Sequence, residues 1–375
     1  MAHSVRLNRK VIAASMSAIL VCALSFPVQA FASVDIDGTA VAEGDNSIDG
    51  GTVTRVGQVI DMVNVTATNV STDEDVTFNF DGGNSISNVN VTGDANVTAN
   101  FQCENQVEDF KPQDNATLTI NANGHNEFDE VEARENAQVT INVTGENDFE
   151  TIKGTDNASI TIRGAECQRK AIINVGEADD VDDQTRVITE SGDLTIDHVT
   201  MNLVGKDPLL GSSKGSVRID TAKISYKGDG NATLYARAGE LYITESVIEL
   251  LQGSMHSQGL MTIEHSDVKV ENGSSSHPAI WSESGIRLIR EKNGEVKTGT
   301  FDGKKLWYVD TDDNLNKVDL KADGQPEYYR CATDNLKRPM PKTGDGLPAE
   351  QLLALSLVSL AALLFASRQM IRVGK

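Results

Sequence analysis

A repeat of 21 residues predicts that this chain is all-β and wound into a parallel β-helix solenoid. Three observations carry that prediction. Val76, Val97, Leu118, Val139 and Ile160 stand 21 residues apart, and each is followed by a threonine: Thr77, Thr98, Thr119, Thr140 and Thr161. Two places after each start come Phe78, Ala99, Ile120, Ile141 and Ile162, which is the apolar–polar–apolar alternation of a strand with one buried face. A second apolar column keeps the same period at Ile86, Val107, Phe128 and Phe149, and three residues later at Val89, Phe110, Val131 and Ile152. A period this short, with two or three strands and no helical pattern, fits one coil stacked on the next at ~4.8 Å. Equivalent residues then pile into columns. Aliphatic columns fill the interior. The columns Asn79, Asn100, Asn121, Asn142 and Asn84, Asn105, Asn126, Asn147 satisfy backbone at bends through side-chain amides. The general crossover rule makes the coil right-handed.

The elements follow in order. Arg6, Arg9 and Lys10, an apolar run over 11–24, and Ala30-Phe31-Ala32 predict a helical signal peptide over 1–32, cut between Ala32 and Ser33. The β-helix is expected over 33–290. After Gly164 the first rhythm loosens and a second begins: Leu194, Val217, Leu241 and Met261 open x-polar-Ile triplets spaced 23, 24 and 20 residues apart. Met201, Ile224, Ile248 and Val268 lie seven residues after those starts. A wider turn is expected over 208–215. Both series together predict about ten coils of 20–26 residues, a rod of roughly 50 Å. Over 291–330 the rhythm breaks, and KLWYV (305–309) and NKVDL (316–320) flank a polar turn, predicting a β-hairpin cap. Residues 331–339 read as a short exposed stalk.

The C-terminal segment 340–375 has its own order. Met340, Pro341, Lys342, Thr343 and Gly344 precede an apolar stretch over 352–366, and Arg368, Arg372 and Lys375 follow. The apolar stretch predicts a hydrophobic helix that holds the precursor in the membrane, with the basic tail on the cytoplasmic side. This arrangement resembles the sorting signal of sortase-anchored surface proteins of Gram-positive bacteria, with Met340 where the LPxTG pattern has leucine. The resemblance implies cleavage between Thr343 and Gly344 and attachment of Thr343 to peptidoglycan. It therefore implies a secreted, wall-anchored protein with a sortase as partner.

Charge narrows the function classes. The chain has 33 Lys+Arg against 55 Asp+Glu, a formal charge of −22. Residues 33–343 alone carry 27 basic and 53 acidic residues, or −26. Phosphate recognition rests on Lys and Arg, so such a chain is not a nucleic-acid binder and is repelled by anionic surfaces. Of four cysteines, Cys103, Cys167 and Cys331 survive removal of the ends. Cys103 and Cys167 are 64 residues apart, three coils and one residue, so the stack puts them ~14 Å apart, beyond disulfide reach.

The stretch from about 50 to 290 resembles, in rhythm only, the right-handed β-helix of secreted pectate-lyase-like enzymes and of bacterial surface adhesins. Pectin-hydrolysing members carry Asp pairs, a Gly-His-Gly and an Arg-x-Lys. Here Gly124-His125 runs into Asn126, which weakens the enzyme reading. Asp197, Asp220, Thr244 and Glu264 fall at one point of the second series, beside His198, Thr221, Glu245 and His265. Asp197 and Asp220 on neighbouring coils would stand near 5 Å, the separation of a retaining glycosidase pair. The competing reading is that Asp, Thr and Glu are ordinary turn residues after a strand.

Asp179, Asp180, Asp182 and Asp183 offer hard oxygen ligands for calcium, against the reading of a solvated acidic loop. Asp310, Asp312 and Asn314 begin like an EF-hand, but Leu315 and Lys321 occupy its glycine and glutamate positions. The histidines lack zinc-ligand spacing, and nucleophile-elbow and phosphate-loop motifs are missing. The Thr/Asn face of the first series resembles the threonine ladders of ice-binding solenoids, and equally a plain solvated face. Aromatic residues gather after position 220, including Tyr226, Tyr235, Tyr242, Trp281, Trp307 and Tyr308, which places a contact surface in the distal half. The expected function is a non-catalytic adhesin, a rod that binds a host or environmental glycan or protein. The alternatives are a surface-bound polysaccharide lyase or glycoside hydrolase using Asp197, Asp220 or Glu264, and a structural spacer.

Overall fold

The computed structural model describes residues 33–48, 51–102, 104–165, 171–176, 185–228, 230–272, 278–289, 294–311 and 314–329. Among the described residues strands make up 65% and helix 1%, in a parallel β-solenoid of about 10 turns. The predicted signal peptide, Ala32, Cys103, Cys167, Cys331, the acidic loop at 179–183, the stalk and the sorting segment lie outside the described residues.

In the first half one coil is Val76–Asp81 followed by Ser85–Val91, and the next is Asn96–Gln102 followed by Gln106–Pro112. The register is the sequence period: Val76 pairs Val97, Leu118 pairs Val97 and Val139, and Val139 pairs Ile160. The second strand of each coil is bent. Ile86 and Val89 are both buried although three residues apart, and position 87 drops out of the ladder between them. That break in the two-residue alternation is a corner, so each coil has three faces.

The strand Gln138–Gly154 runs round all three faces. Beyond it the corner opens, and its residues 145–149 and 151–154 pair with two separate strands, Ala171–Val175 and Arg186–Thr189. Later coils keep three strands. Two expectations change here. Ile160 pairs with Leu194, a coil of 34 residues, longer than the expected range, because extra residues enter between Gly164 and Ala171 and between Val175 and Arg186. The expected turn over 208–215 holds a strand, Leu209–Ser212, paired with Arg186–Thr189 on one side and Thr233–Ala236 on the other.

Both ends depart from the parallel pattern. At the start, Gly44–Ile48, Gly51–Val56 and Val59–Val63 pair antiparallel in succession, and Val34–Ile36 lies antiparallel on Thr66–Thr72. At the far end a hairpin forms, but not between the expected partners. Lys304–Asp310 pairs with Glu295–Phe301 through Asp302 and Gly303, both at positive φ (47° and 75°), as a two-residue hairpin turn demands. Lys317–Leu320 instead lies antiparallel on Asp267–Glu271. Antiparallel caps at both ends cover the open edges of a parallel stack.

The interior is layered. Phe80 and Phe101 stack at 4.4 Å with planes 1° apart, and Phe128 meets Phe101 edge-on at 5.1 Å and Phe149 at 4.7 Å. Asn84, Asn105, Asn126 and Asn147 are buried at the bend; the first three each donate Nδ2 to the Oδ1 of the next, at 2.8, 3.0 and 2.9 Å, and Asn147 donates to the carbonyls of Ala122 and Thr144. The backbone N–H of Val65 starts that ladder by donating to Asn84 Oδ1.

Three outer ladders run the opposite way. Asn79 donates to Asp61, and Asn100, Asn121 and Asn142 each donate to the asparagine before. Asn115, Asn136 and Asn157 begin from Asp94, and Asn174, Asn202 and Ser225 from Asp148. An ionised aspartate only accepts, so the first asparagine must turn its NH2 toward it and every later amide follows. The aspartate sets the polarity of each ladder.

Candidate functional site

The corner that follows the first strand of each distal coil carries the chemistry-bearing side chains. The ladder places Asp197 directly opposite Asp220, Asp220 opposite Thr244, and Thr244 opposite Glu264. The expected juxtaposition of Asp197 and Asp220 on adjacent strands is therefore present, while Glu264 stands two strands further along. Next in sequence come His198, Thr221, Glu245 and His265, all in the left-handed region with φ of 52°, 46°, 49° and 44°. This region is costly for side chains other than Gly, Asn and Asp. Its recurrence in four successive coils shows that the corner geometry, not the residue type, dictates the turn.

Hydrogen bonds occupy much of this column. His198 Nδ1 meets the carboxylate of Asp197. Thr221 Oγ1 donates to Asp220 Oδ1 at 3.2 Å, and Arg218 lies 4.0 Å from the other oxygen. Glu245 pairs through Oε1 with His265 Nδ1 at 3.0 Å, and its Oε2 accepts the backbone N–H of Glu327 at 2.8 Å. Residues 321–329 thus fold back along the corner as a strap. Ala322 N–H donates to Asp267, Tyr328 N–H to the carbonyl of Glu245, and the Tyr328 hydroxyl reaches Thr200 Oγ1 at 2.8 Å. A polar cavity of about 130 Å³ lies under the strap between Glu245, His265 and residues 322–326. Burial together with the nearby Asp267 pushes the Tyr329 phenol up.

A second feature lies on the face formed by the third strand of each distal coil. Tyr235 pairs with His256 and His256 with Trp281. The Tyr235 and His256 rings stack at 5.8 Å, and those of His256 and Trp281 at 4.7 Å with planes 7° apart. Arg237 sits 5.8 Å from the Tyr235 ring centre. The seat of the first ring is Gly211, where an added Cβ would stand 2.8 Å from the Tyr235 ring. Tyr235 is buried at the base of the column, whereas His256 and Trp281 are half-buried. His256 has a ring stacked on each face, so a partner would meet its edge.

Sequence reasoning placed contacts in this half but did not assemble this column, although its spacings of 21 and 25 residues match coil lengths. The strap carried no sequence signal, since Glu327 meets a residue 82 positions away. Among the described residues no group of three or more His, Cys, Asp and Glu side chains could hold a metal ion, and the acidic loop at 179–183 lies outside them. No helix among the described residues is long and apolar enough to cross a membrane. Arg290-Glu291-Lys292 does spell the Arg-x-Lys of pectin-hydrolysing enzymes, outside the described residues. No protein-family model, curated protein or solved structure matches the chain. The class defined by fold and surface is a capped parallel β-solenoid with a strapped corner and an aromatic column.

Proposed function

We propose that the chain is a cell-wall-anchored bacterial surface protein whose solenoid is a non-catalytic rod binding a host or environmental glycan or protein. The observation that carries the binding reading is the column Tyr235–His256–Trp281. Rings with polar edges, braced by Arg237, supply apolar contact and hydrogen bonding at little conformational cost, as binding surfaces use them. The order of sorting motif, apolar stretch and basic tail supports the location, with a sortase joining Thr343 to peptidoglycan. Replacing Thr343 by Ala then moves the protein from the wall fraction to membrane or medium. Unchanged covalent attachment would refute the anchoring.

A second reading is a polysaccharide lyase or hydrolase at the wall. It is favoured by Asp197 and Asp220 lying side by side on adjacent strands. Against it, His198 and Thr221 already engage those carboxylates.

A further inference from the structure

We propose that the aromatic column and the polar row beside it bind a short oligosaccharide through the carboxylate of its terminal sugar. This rests on the reading of the rod as a binding surface and names the class of ligand. The column is longer than its three stacked rings. Trp281 lies opposite Tyr308, and Tyr308 opposite Lys297, so one outward row crosses from the third strands onto the cap hairpin. Both ends of the row of rings rest on a glycine. Gly211 seats the Tyr235 ring, and an added Cβ on Gly299 would stand 3.3 Å from Tyr308 Cε1. The Tyr308 ring thus leans over the strand Glu295–Phe301. Trp281 and Tyr308 are both half-buried.

A second row runs beside the rings. Arg237, Gln258 and Glu283 each stand two residues after a ring of the column. Their backbone N–H groups donate to the carbonyls of Ser212, Ala236 and Ser257 on the preceding coils, so they stack in coil order. Each ring therefore has a planar group next to it: a guanidinium, an amide and a carboxylate. Such groups meet sugar hydroxyls, and a sugar carboxylate, through pairs of hydrogen bonds.

Charge along this row is uneven, and that selects the ligand. Arg237 is exposed, its guanidinium lies 5.8 Å from the Tyr235 ring centre, and among the described residues it forms no ion pair. At the other end Glu283 is paired with Lys304 at 3.0 Å. The row is thus cationic at Arg237 and neutral at Glu283, on a chain whose residues 33–343 carry 27 basic against 53 acidic side chains. An acidic rod repels anions over most of its surface. At Arg237 a carboxylate instead takes two guanidinium N–H donors. A glycan charged on every sugar would set its further carboxylates against Glu283 and the acidic surface around it. The ligand that fits carries one terminal carboxylate at Arg237, with neutral sugars lying along His256 and Trp281.

Isothermal titration calorimetry of the full chain with three probes tests this: sialyllactose, its neutral parent lactose, and tetragalacturonate, which is charged on every sugar. Sialyllactose is expected to bind about tenfold more tightly than lactose, the scale of one charge-assisted contact, and more tightly than tetragalacturonate. R237Q, a change at an exposed side chain, should bring sialyllactose down to the affinity of lactose. R186Q removes an exposed arginine from the same face two strands earlier and should leave the preference in place. Equal affinity for lactose and sialyllactose, tighter binding of tetragalacturonate, a preference that survives R237Q or falls equally in R186Q, or no binding of any probe would each overturn the proposal. In all of these cases the broader reading survives if another glycan is retained intact, and it fails separately if a probe is cut.

Discussion

Asn126→Ala tests the buried asparagine ladder most sharply. Asn126 is 1% exposed, and its side chain makes four hydrogen bonds. Oδ1 accepts the N–H and the Nδ2 of Asn105 at 3.2 and 3.0 Å, and Nδ2 donates to Asn123 O at 3.2 Å and Asn147 Oδ1 at 2.9 Å. At about 0.5–1.5 kcal/mol for each bond, the substitution costs roughly 2–6 kcal/mol. The upper half of that range is expected, because water has no easy access to the partners left behind. Asn142→Ala is the control. It ends an outer, half-buried ladder and donates only to Asn121, so its loss costs about 0.5–1 kcal/mol. Urea unfolding followed by far-ultraviolet circular dichroism reads both. A cost for Asn126→Ala no greater than for Asn142→Ala would refute the claim that the inner ladder holds the bend.

Three further outcomes follow from the same structure. Phe101→Ala removes a fully buried ring stacked on Phe80 and edge-on to Phe128 and costs about 3–5 kcal/mol, read by the urea midpoint. Gly211→Ala puts a Cβ 2.1 Å from the Tyr235 carbonyl oxygen. It should destabilise by about 1–3 kcal/mol and weaken the near-ultraviolet dichroism of the Tyr235–His256–Trp281 stack. Burial pushes the Glu132 carboxyl up, but hydrogen bonds from Arg134 and Lys153 outweigh it and hold the group below its ordinary value of 4.5. Because the folded value is the lower one, this stabilisation is present above about pH 4.5 and is lost as pH falls through the folded value. Thermal melts of Glu132→Gln should therefore lie below wild type at neutral pH and converge with it in acid. A constant difference across that range would refute the assignment.

The regular coils were legible in the sequence because one requirement, an inward aliphatic or aromatic side chain, recurs every 21 residues. Val76 to Ile160 align without gaps. The third strands of the distal half were not legible. Leu209–Ser212, Gly253–Ser257 and Ile280–Ser282 are short and mix small and polar residues, and their burial comes from neighbouring coils rather than from local alternation. The hairpin misassignment has a similar cause. The sequences at 305–309 and 316–320 are both strand-like, and only the tight Asp302–Gly303 turn and the open edge at Asp267–Glu271 decide the pairing. In the candidate site, Asp197 and Asp220 could be aligned because they end homologous strands. The Glu245–His265 pair and its contact with residues 327–328 depend on a fold-back that no local pattern encodes.

The central claim is that the rod binds without chemistry. Its most direct test is incubation of residues 33–343 with a panel of plant and host polysaccharides, with and without calcium, followed by mass spectrometry of bound and free glycan. The account predicts a glycan retained intact, with retention lost in Trp281→Ala. New chain ends, abolished by Asp197→Asn or Asp220→Asn, would contradict it.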